Sequence, residues 1–176
     1  MNNISVFFLI FNLRNQYPFV DALMIFGAEY LIYLVFILMI LLTFKGKINE
    51  RKAIILALLS LPIAVVLIKI IHLFILEPRP YISYHITPLI TYGDDVSFPS
   101  RHASIVSAIA FSYLHFKSKW FPLFLFMMVW VGFSRIYVGV HYPIDILGGF
   151  LVGIISQIIS LQIIKFLKAR FFLPSA

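Results

Sequence analysis

Residues 53–80 read AIILALLSLPIAVVLIKIIHLFILEPRP. From 53 to 76 nearly every side chain is apolar, and a helix needs roughly 20 such residues to cross the hydrocarbon core of a bilayer. The two prolines of EPRP (77–80) then end it, because proline lacks a backbone donor and crowds the turn before it. Arg79 is thereby placed at a membrane boundary. The rest of the chain has the same character: 62% of its 176 residues are hydrophobic, 17% aromatic and only 12% charged. Its mean hydropathy is +1.01. A soluble core of this length has no use for so much apolar surface.

Working outward, residues 4–13 (ISVFFLIFNL) are too short to span and suit an interfacial or re-entrant helix, tied by RNQYP (14–18) to the first full span. They lack the basic flank and small-residue cleavage site of a removed signal peptide. Full spans are expected at 22–44 and 53–76. A third helix is expected from Ser100 to His115, a fourth at 120–138 and a fifth at 143–166, with Pro143 in its first turn. The fold class is therefore all-α: an integral membrane bundle of five to six transmembrane helices with an N-terminal interfacial or re-entrant helix. No repeat or low-complexity linker interrupts it, so residues 1–176 are read as one domain. The chain has no cysteine, which excludes disulfides and thiolate metal sites.

The net charge of +7 is unevenly spread. Lys45, Lys47, Arg51 and Lys52 fill one loop, Lys117 and Lys119 another, and Lys165, Lys168 and Arg170 close the chain. With alternating spans these nine of the fourteen basic residues fall on one side, which the positive-inside rule makes cytoplasmic. Anionic lipid headgroups suffice as their partner, and nucleic acid is unnecessary. The opposite, non-cytoplasmic face of the plasma membrane collects Arg79, Ser100, Arg101, His102, Arg135, His141 and Asp145. Cations placed against the topological bias call for an anionic ligand.

Three short blocks meet there: EPRP, FPSRH (98–102) and SRIYVGVHYPID (134–145). Arg79 and Arg135 supply planar forks of donors suited to phosphate oxygens. The helix starting at Ser100 adds free backbone N–H groups and its dipole. His102 and His141 form the pair that displacement at phosphorus needs, one attacking and the other protonating the leaving oxygen. Asp145, four residues after His141, can accept a hydrogen bond from its ring and fix the tautomer. Singly, each block has a structural explanation: a helix stop, a helix start, a histidine–carboxylate pair. Jointly, polar devices gathered at one membrane face point to function. Asp94 and Asp95 read as solvated loop rather than metal ligands, and Gly149-x3-Gly153 reads as close helix packing.

The set resembles the type 2 phosphatidic acid phosphatase superfamily, whose signature is K-x6-RP, then PSGH, then SR-x5-H-x3-D. The third block matches at Ser134, Arg135, His141 and Asp145, the second at Pro99, Ser100 and His102, and the first at Arg79 and Pro80. With VDALMIFGAEY (20–30), SFPSRHAS (97–104) and GFSRIYVGVHYPIDILG (132–148), the chain looks most like short bacterial undecaprenyl-diphosphate phosphatases of the bacitracin-resistance type. The resemblance implies a metal-independent reaction without cofactor. His141 would be the nucleophile forming a phosphohistidine, Asp145 its partner and His102 the general acid, with Arg79, Ser100 and Arg135 holding the phosphate. Two positions depart from the pattern. His72 stands where the family has lysine, with Lys69 one turn deeper on the same helix face. Lys69 would either snorkel toward the site or pair with Glu29 or Asp21. Arg101 stands where the family has glycine, adding a cation to the phosphate site.

The expected function is hydrolysis of a polyprenyl diphosphate to the monophosphate at the outer membrane face, for recycling of the lipid carrier. The alternatives are a phosphatidate, phosphatidylglycerol-phosphate or lipid A phosphatase and, in another class, a lipid-phosphate binder or transporter. The expected partners are the lipid phosphate and the surrounding membrane lipids.

Overall fold

The computed structural model describes residues 2–91, 93 and 96–171. Asp94 and Asp95, read above as solvated loop, lie outside the described residues. Among the described residues, eight helices succeed one another: α1 (Asn3–Phe11), α2 (Pro18–Glu29), α3 (Leu31–Lys45), α4 (Ile48–His72), α5 (Pro80–Ser83), α6 (Arg101–His115), α7 (Phe121–Tyr137) and α8 (Pro143–Phe171). Local chemistry sets their starts. Proline lies in the first turn of α2, α5, α7 and α8, where its missing N–H costs nothing. Asn2 and Ser100 cap α1 and α6 with side-chain oxygens, the usual remedy for orphaned N–H groups.

The expected span at 22–44 is two helices. The chain bends by 56° between α2 and α3, at Tyr30, leaving α2 free to turn over the His141 end of the bundle. α4 and residues Pro143–Lys168 of α8 are each long and apolar enough to cross a bilayer, and the bent pair makes a third crossing if counted as one. α6 and α7, at 15 and 17 residues, are shorter. The polar segment 81–99 is not wholly irregular, since α5 begins at Pro80 and runs into it and Val96 bridges back to Pro78.

α6 and α8 form the tightest seam, with α4 packed against both, and α7 joins α6 to α2 and α3. The seam is close because its residues are small. A Cβ on Gly149 would meet Ala103 Cβ at 2.7 Å, and one on Gly153 would meet Ser107 Cβ at the same distance. Without a hydrophobic drive inside lipid, such close backbone approach is what holds helices together. A larger core of Leu31, Val35, Ala57, Val106, Ile109, Tyr113, Phe124 and Val131 joins α3, α4, α6 and α7. The outer surface is the reverse of a soluble protein's. Ile55, Leu58, Val66, Phe126, Leu151 and Ile158 all lie exposed, an apolar belt that a bilayer covers.

Candidate active site

The loop between α7 and α8 carries His141. Gly139 has φ +90°, in the left-handed region that suits glycine, and a Cβ there would meet the Phe11 ring at 2.5 Å. α1 thus lies directly on this loop. Phe7 and Phe11 are buried against it, Phe7 stands edge-on to Tyr142, and Asn3 accepts a hydrogen bond from Ile144 N–H at 3.0 Å. The N-terminal segment is therefore a brace on the His141 loop as well as a short apolar helix.

His141 is 2% exposed, and both ring nitrogens face protein. Arg79 Nη1 lies 3.1 Å from Nε2 and also donates to the Val140 carbonyl at 2.9 Å. A guanidinium can only donate, so Nε2 is the unprotonated nitrogen and presents its lone pair to Arg79. Nδ1, which carries the proton, lies 3.4 Å from Asp145 Oδ2 and 3.4 Å from Ser97 Oγ. Burial, together with the Arg135 and Arg79 guanidiniums and nearby His102, holds the His141 imidazole well below its usual range and so neutral.

Asp145 is fully buried. Its Oδ2 accepts from the Ser97 hydroxyl at 2.5 Å and from Tyr142 N–H at 2.7 Å. Ser97 therefore stands between Asp145 and the ring. It is completely buried, held by its own N–H to the Glu77 carbonyl at 2.8 Å. Sequence reasoning missed it: serine is common in loops, and only the fold-back of segment 81–99 onto EPRP brings it here. Its one visible signal was its place directly before FPSRH.

The remaining predicted residues converge unequally. Arg135 is 1% exposed and donates to the Ala28 carbonyl at 3.2 Å. It acts electrostatically on both His102 and His141. Ser134, its neighbour in the motif, turns away to Met24. His102 sits in the first turn of α6, within the fields of Arg135, Arg101 and Arg79. The Ser100 hydroxyl caps α6 at Ala103 N–H, and its backbone N–H donates to the Asp145 carbonyl at 3.0 Å, which ties the two histidine-bearing segments together. Arg101, Lys69 and His72 lie to one side. They line a cavity of about 330 Å³ between α4 and α6, whose other walls are Ala64, Val65, Ile68 and Ile105. The alternative partners offered for Lys69 stand on a helix that does not pack against α4. Asp21 accepts from the Tyr137 hydroxyl at 2.7 Å, and α2, which carries Asp21 and Glu29, packs on α3 and α7 rather than α4.

Two guanidiniums, a neutral buried imidazole with an oriented lone pair, and a second histidine at a helix N-terminus are groups suited to phosphoryl transfer. Among the described residues, no three histidine or carboxylate side chains converge as metal ligands.

Comparison with known proteins agrees with that chemistry. Residues 53–169 match the PAP2 superfamily, a stretch that contains all three polar blocks. The chain belongs to the PAP2 superfamily. It is 34% identical over 155 residues to the undecaprenyl-diphosphatase BcrC of Bacillus subtilis, covering 87% of this chain and 79% of that protein. It is 36% identical over 165 residues to an undecaprenyl-diphosphatase of Sulfolobus acidocaldarius, covering 92% and 78%. Among solved PAP2 structures, LpxE of Aquifex aeolicus superposes with a TM-score of 0.70 at 29% identity, covering 91% of this chain and 94% of its own. A phosphatidylglycerolphosphate phosphatase of Bacillus subtilis superposes with a TM-score of 0.62 at 25% identity, covering 97% and 90%. This PAP2 protein is a membrane lipid phosphatase.

Proposed function

We propose that the protein hydrolyses a polyprenyl diphosphate, with undecaprenyl diphosphate as the type, to its monophosphate at the outer face of the plasma membrane. The reaction passes through a phosphohistidine and needs no metal. The observation that carries the mechanism is the Arg79–His141 contact: an unprotonated Nε2 held by a phosphate-binding group. Terminal phosphate oxygens take over the donors of Arg79 and Arg135, and Nε2 is freed within reach of phosphorus. It attacks, the bond to the bridging oxygen breaks, and His102 gives that oxygen its proton as the lipid monophosphate leaves. The incoming phosphate's negative charge favours a protonated His102. The imidazolium character formed on His141 is stabilised by Asp145 through Ser97. A water, deprotonated by His102, then attacks the phosphohistidine, releasing phosphate and restoring both histidines.

The diphosphate preference draws on two supports. Relatives at 31–36% identity over most of the chain include named undecaprenyl-diphosphatases. The cavity beside the site also offers Lys69, His72 and Arg101 for a second phosphate and an apolar wall for the start of a tail. A lipid phosphomonoester is the second reading, favoured by the likeness to LpxE and to the phosphatidylglycerolphosphate phosphatase.

The deciding assay is phosphate release by purified protein in excess chelator, from undecaprenyl diphosphate and from phosphatidic acid. Preference for the diphosphate, lost in His141→Ala and His102→Ala, supports the proposal. Release from phosphatidic acid alone moves the substrate to the second reading, and loss of activity with chelator removes metal independence. Sidedness has its own test, since the chain has no cysteine. A Thr87→Cys protein should react with a membrane-impermeant maleimide in intact cells, and a Lys47→Cys protein should not.

A further inference from the structure

The chain departs from the signature of its superfamily at His72, where the signature has lysine, and at Arg101, where it has glycine. His72 is the last residue of α4 and Arg101 the first of α6. Far apart in sequence, they meet in the fold. Both line the cavity of about 330 Å³ between α4 and α6, and the Arg101 guanidinium acts electrostatically on the His72 ring. The segment that leads into α6 holds them together, since the His72 ring donates to the Phe98 carbonyl. The two departures therefore face each other across one seam. One removes a permanent cation from α4, and the other adds one on α6.

A lysine at position 72 would bring a permanent charge and three donors to this wall. The imidazole brings no permanent charge. One of its N–H groups is spent on Phe98, and Nε2 is buried with no hydrogen-bond partner, so the ring turns a donor to an anion only by giving up Phe98. Arg101 has what the ring lacks. It is charged at every relevant pH, lies exposed on the cavity, and its field reaches His102 as well as His72. Lys69 stands one turn deeper on α4, and the cations acting on His102 are Arg135, Arg101 and Arg79. We propose that Arg101 supplies, from the first turn of α6, the positive charge that the signature places on α4 at position 72, and that it binds substrate phosphate beside His102. The charge has crossed the seam while the anion it serves has stayed in place.

A charge that has moved can be moved back. Arg101→Gly should lower kcat/KM by about 10- to 100-fold, the loss of one charge-assisted hydrogen bond, on whichever of undecaprenyl diphosphate and phosphatidic acid the unaltered protein hydrolyses faster. His72→Lys added to Arg101→Gly should restore most of that loss, and should gain far less when made in the unaltered protein. A packing role for Arg101 would not be repaired from another helix. Arg101→Lys should keep more activity than Arg101→Ala, because the signature itself uses lysine. Lys69→Met should lose less than Arg101→Gly. An Arg101→Gly protein of undiminished activity overturns the proposal, as does a loss that His72→Lys fails to restore in a protein of unaltered thermal stability. A Lys69→Met loss larger than that of Arg101→Gly, restored in its turn by His72→Lys, assigns the displaced charge to Lys69 and overturns it too. If Arg101→Gly frays α6, Arg101→Ala, a better helix former, carries the same comparison. Equal losses in Arg101→Ala and Arg101→Lys remove the charge from the role. Every variant is compared on one substrate, so the preference for a diphosphate can fail while the compensation holds, and the reverse.

Discussion

Arg79 Nη1 and His141 Nε2 are 3.1 Å apart, so a guanidinium donor faces the lone pair proposed to attack phosphorus. On the proposed mechanism, substrate exchanges one contact for another: a phosphate oxygen takes the guanidinium, and the nitrogen is uncovered in the same movement. Arg79→Ala removes both the anchor and this guard. The expected loss in kcat/KM is about 100- to 1000-fold, the range for removing one donor that stabilises transition-state charge. Arg79→Lys should recover little, since a point charge replaces a planar fork. Steady-state kinetics on the purified variants checks this.

The pH dependence arises from the same neighbourhood. Burial and then the charges of Arg135 and Arg79 hold His141 well below its ordinary 6.5. The proposed attacking form is the neutral one, so protonation of His141 should not lower kcat/KM at pH 6.5, and the acid limb it causes should appear only below that value. Taking away the Arg79 charge relieves part of the depression. The acid limb of the weak Arg79→Ala activity should therefore move to higher pH. An acid limb at or above pH 6.5 in the unaltered enzyme would count against His141 as the group that attacks.

On the proposed mechanism Ser97 is a positioning residue, acting through Asp145 and His141. Ser97→Ala leaves Asp145 Oδ2 with Tyr142 N–H as its hydrogen-bond donor and releases one side of the imidazole. A hydrogen bond to a charged group is worth enough to lower kcat by about 10- to 100-fold. KM should change little, because the phosphate anchors are untouched. A rise in KM with unaltered kcat would mark Ser97 as a packing residue only.

The α6–α8 seam should be intolerant of growth. A Cβ on Gly149 would stand 2.6 Å from the Ser100 carbonyl oxygen and 2.7 Å from Ala103 Cβ. Gly149→Ala should cost about 1–3 kcal/mol of stability, the usual penalty for overpacking. Ser100 N–H bonds the Asp145 carbonyl across this seam, so activity should fall along with thermal stability in detergent. Gly93 has open space around it, and Gly93→Ala serves as the neutral control.

Polar residues in an apolar chain are conspicuous, and that is why Arg79, His102, Arg135, His141 and Asp145 were legible before any fold was known. Helix ends were legible where proline or a capping serine marked them, as at Pro143 and Ser100. The break at Tyr30 was not, because apart from Glu29 the residues around it are apolar and no glycine or proline sits at the bend. Ser97 was hidden for a different reason. Its role depends on a chain reversal that returns residue 96 to residue 78, and no local periodicity records such a reversal. Nor did the sequence separate the partners offered for Lys69, since that choice turns on whether α2 packs against α4.

The furrow between α4 and α6, walled by Ala64, Val65, Ile68 and Ile105 with cations at its head, also sets the units in which this enzyme is to be measured. A substrate that reaches His141 along it arrives from within the lipid sheet, by lateral diffusion. Encounter frequency then depends on crowding in two dimensions. Diluting the substrate with inert lipid at constant bulk concentration slows turnover, and diluting the vesicles with buffer at constant lipid composition does not. Half-saturation for such an enzyme is a mole per cent of the membrane.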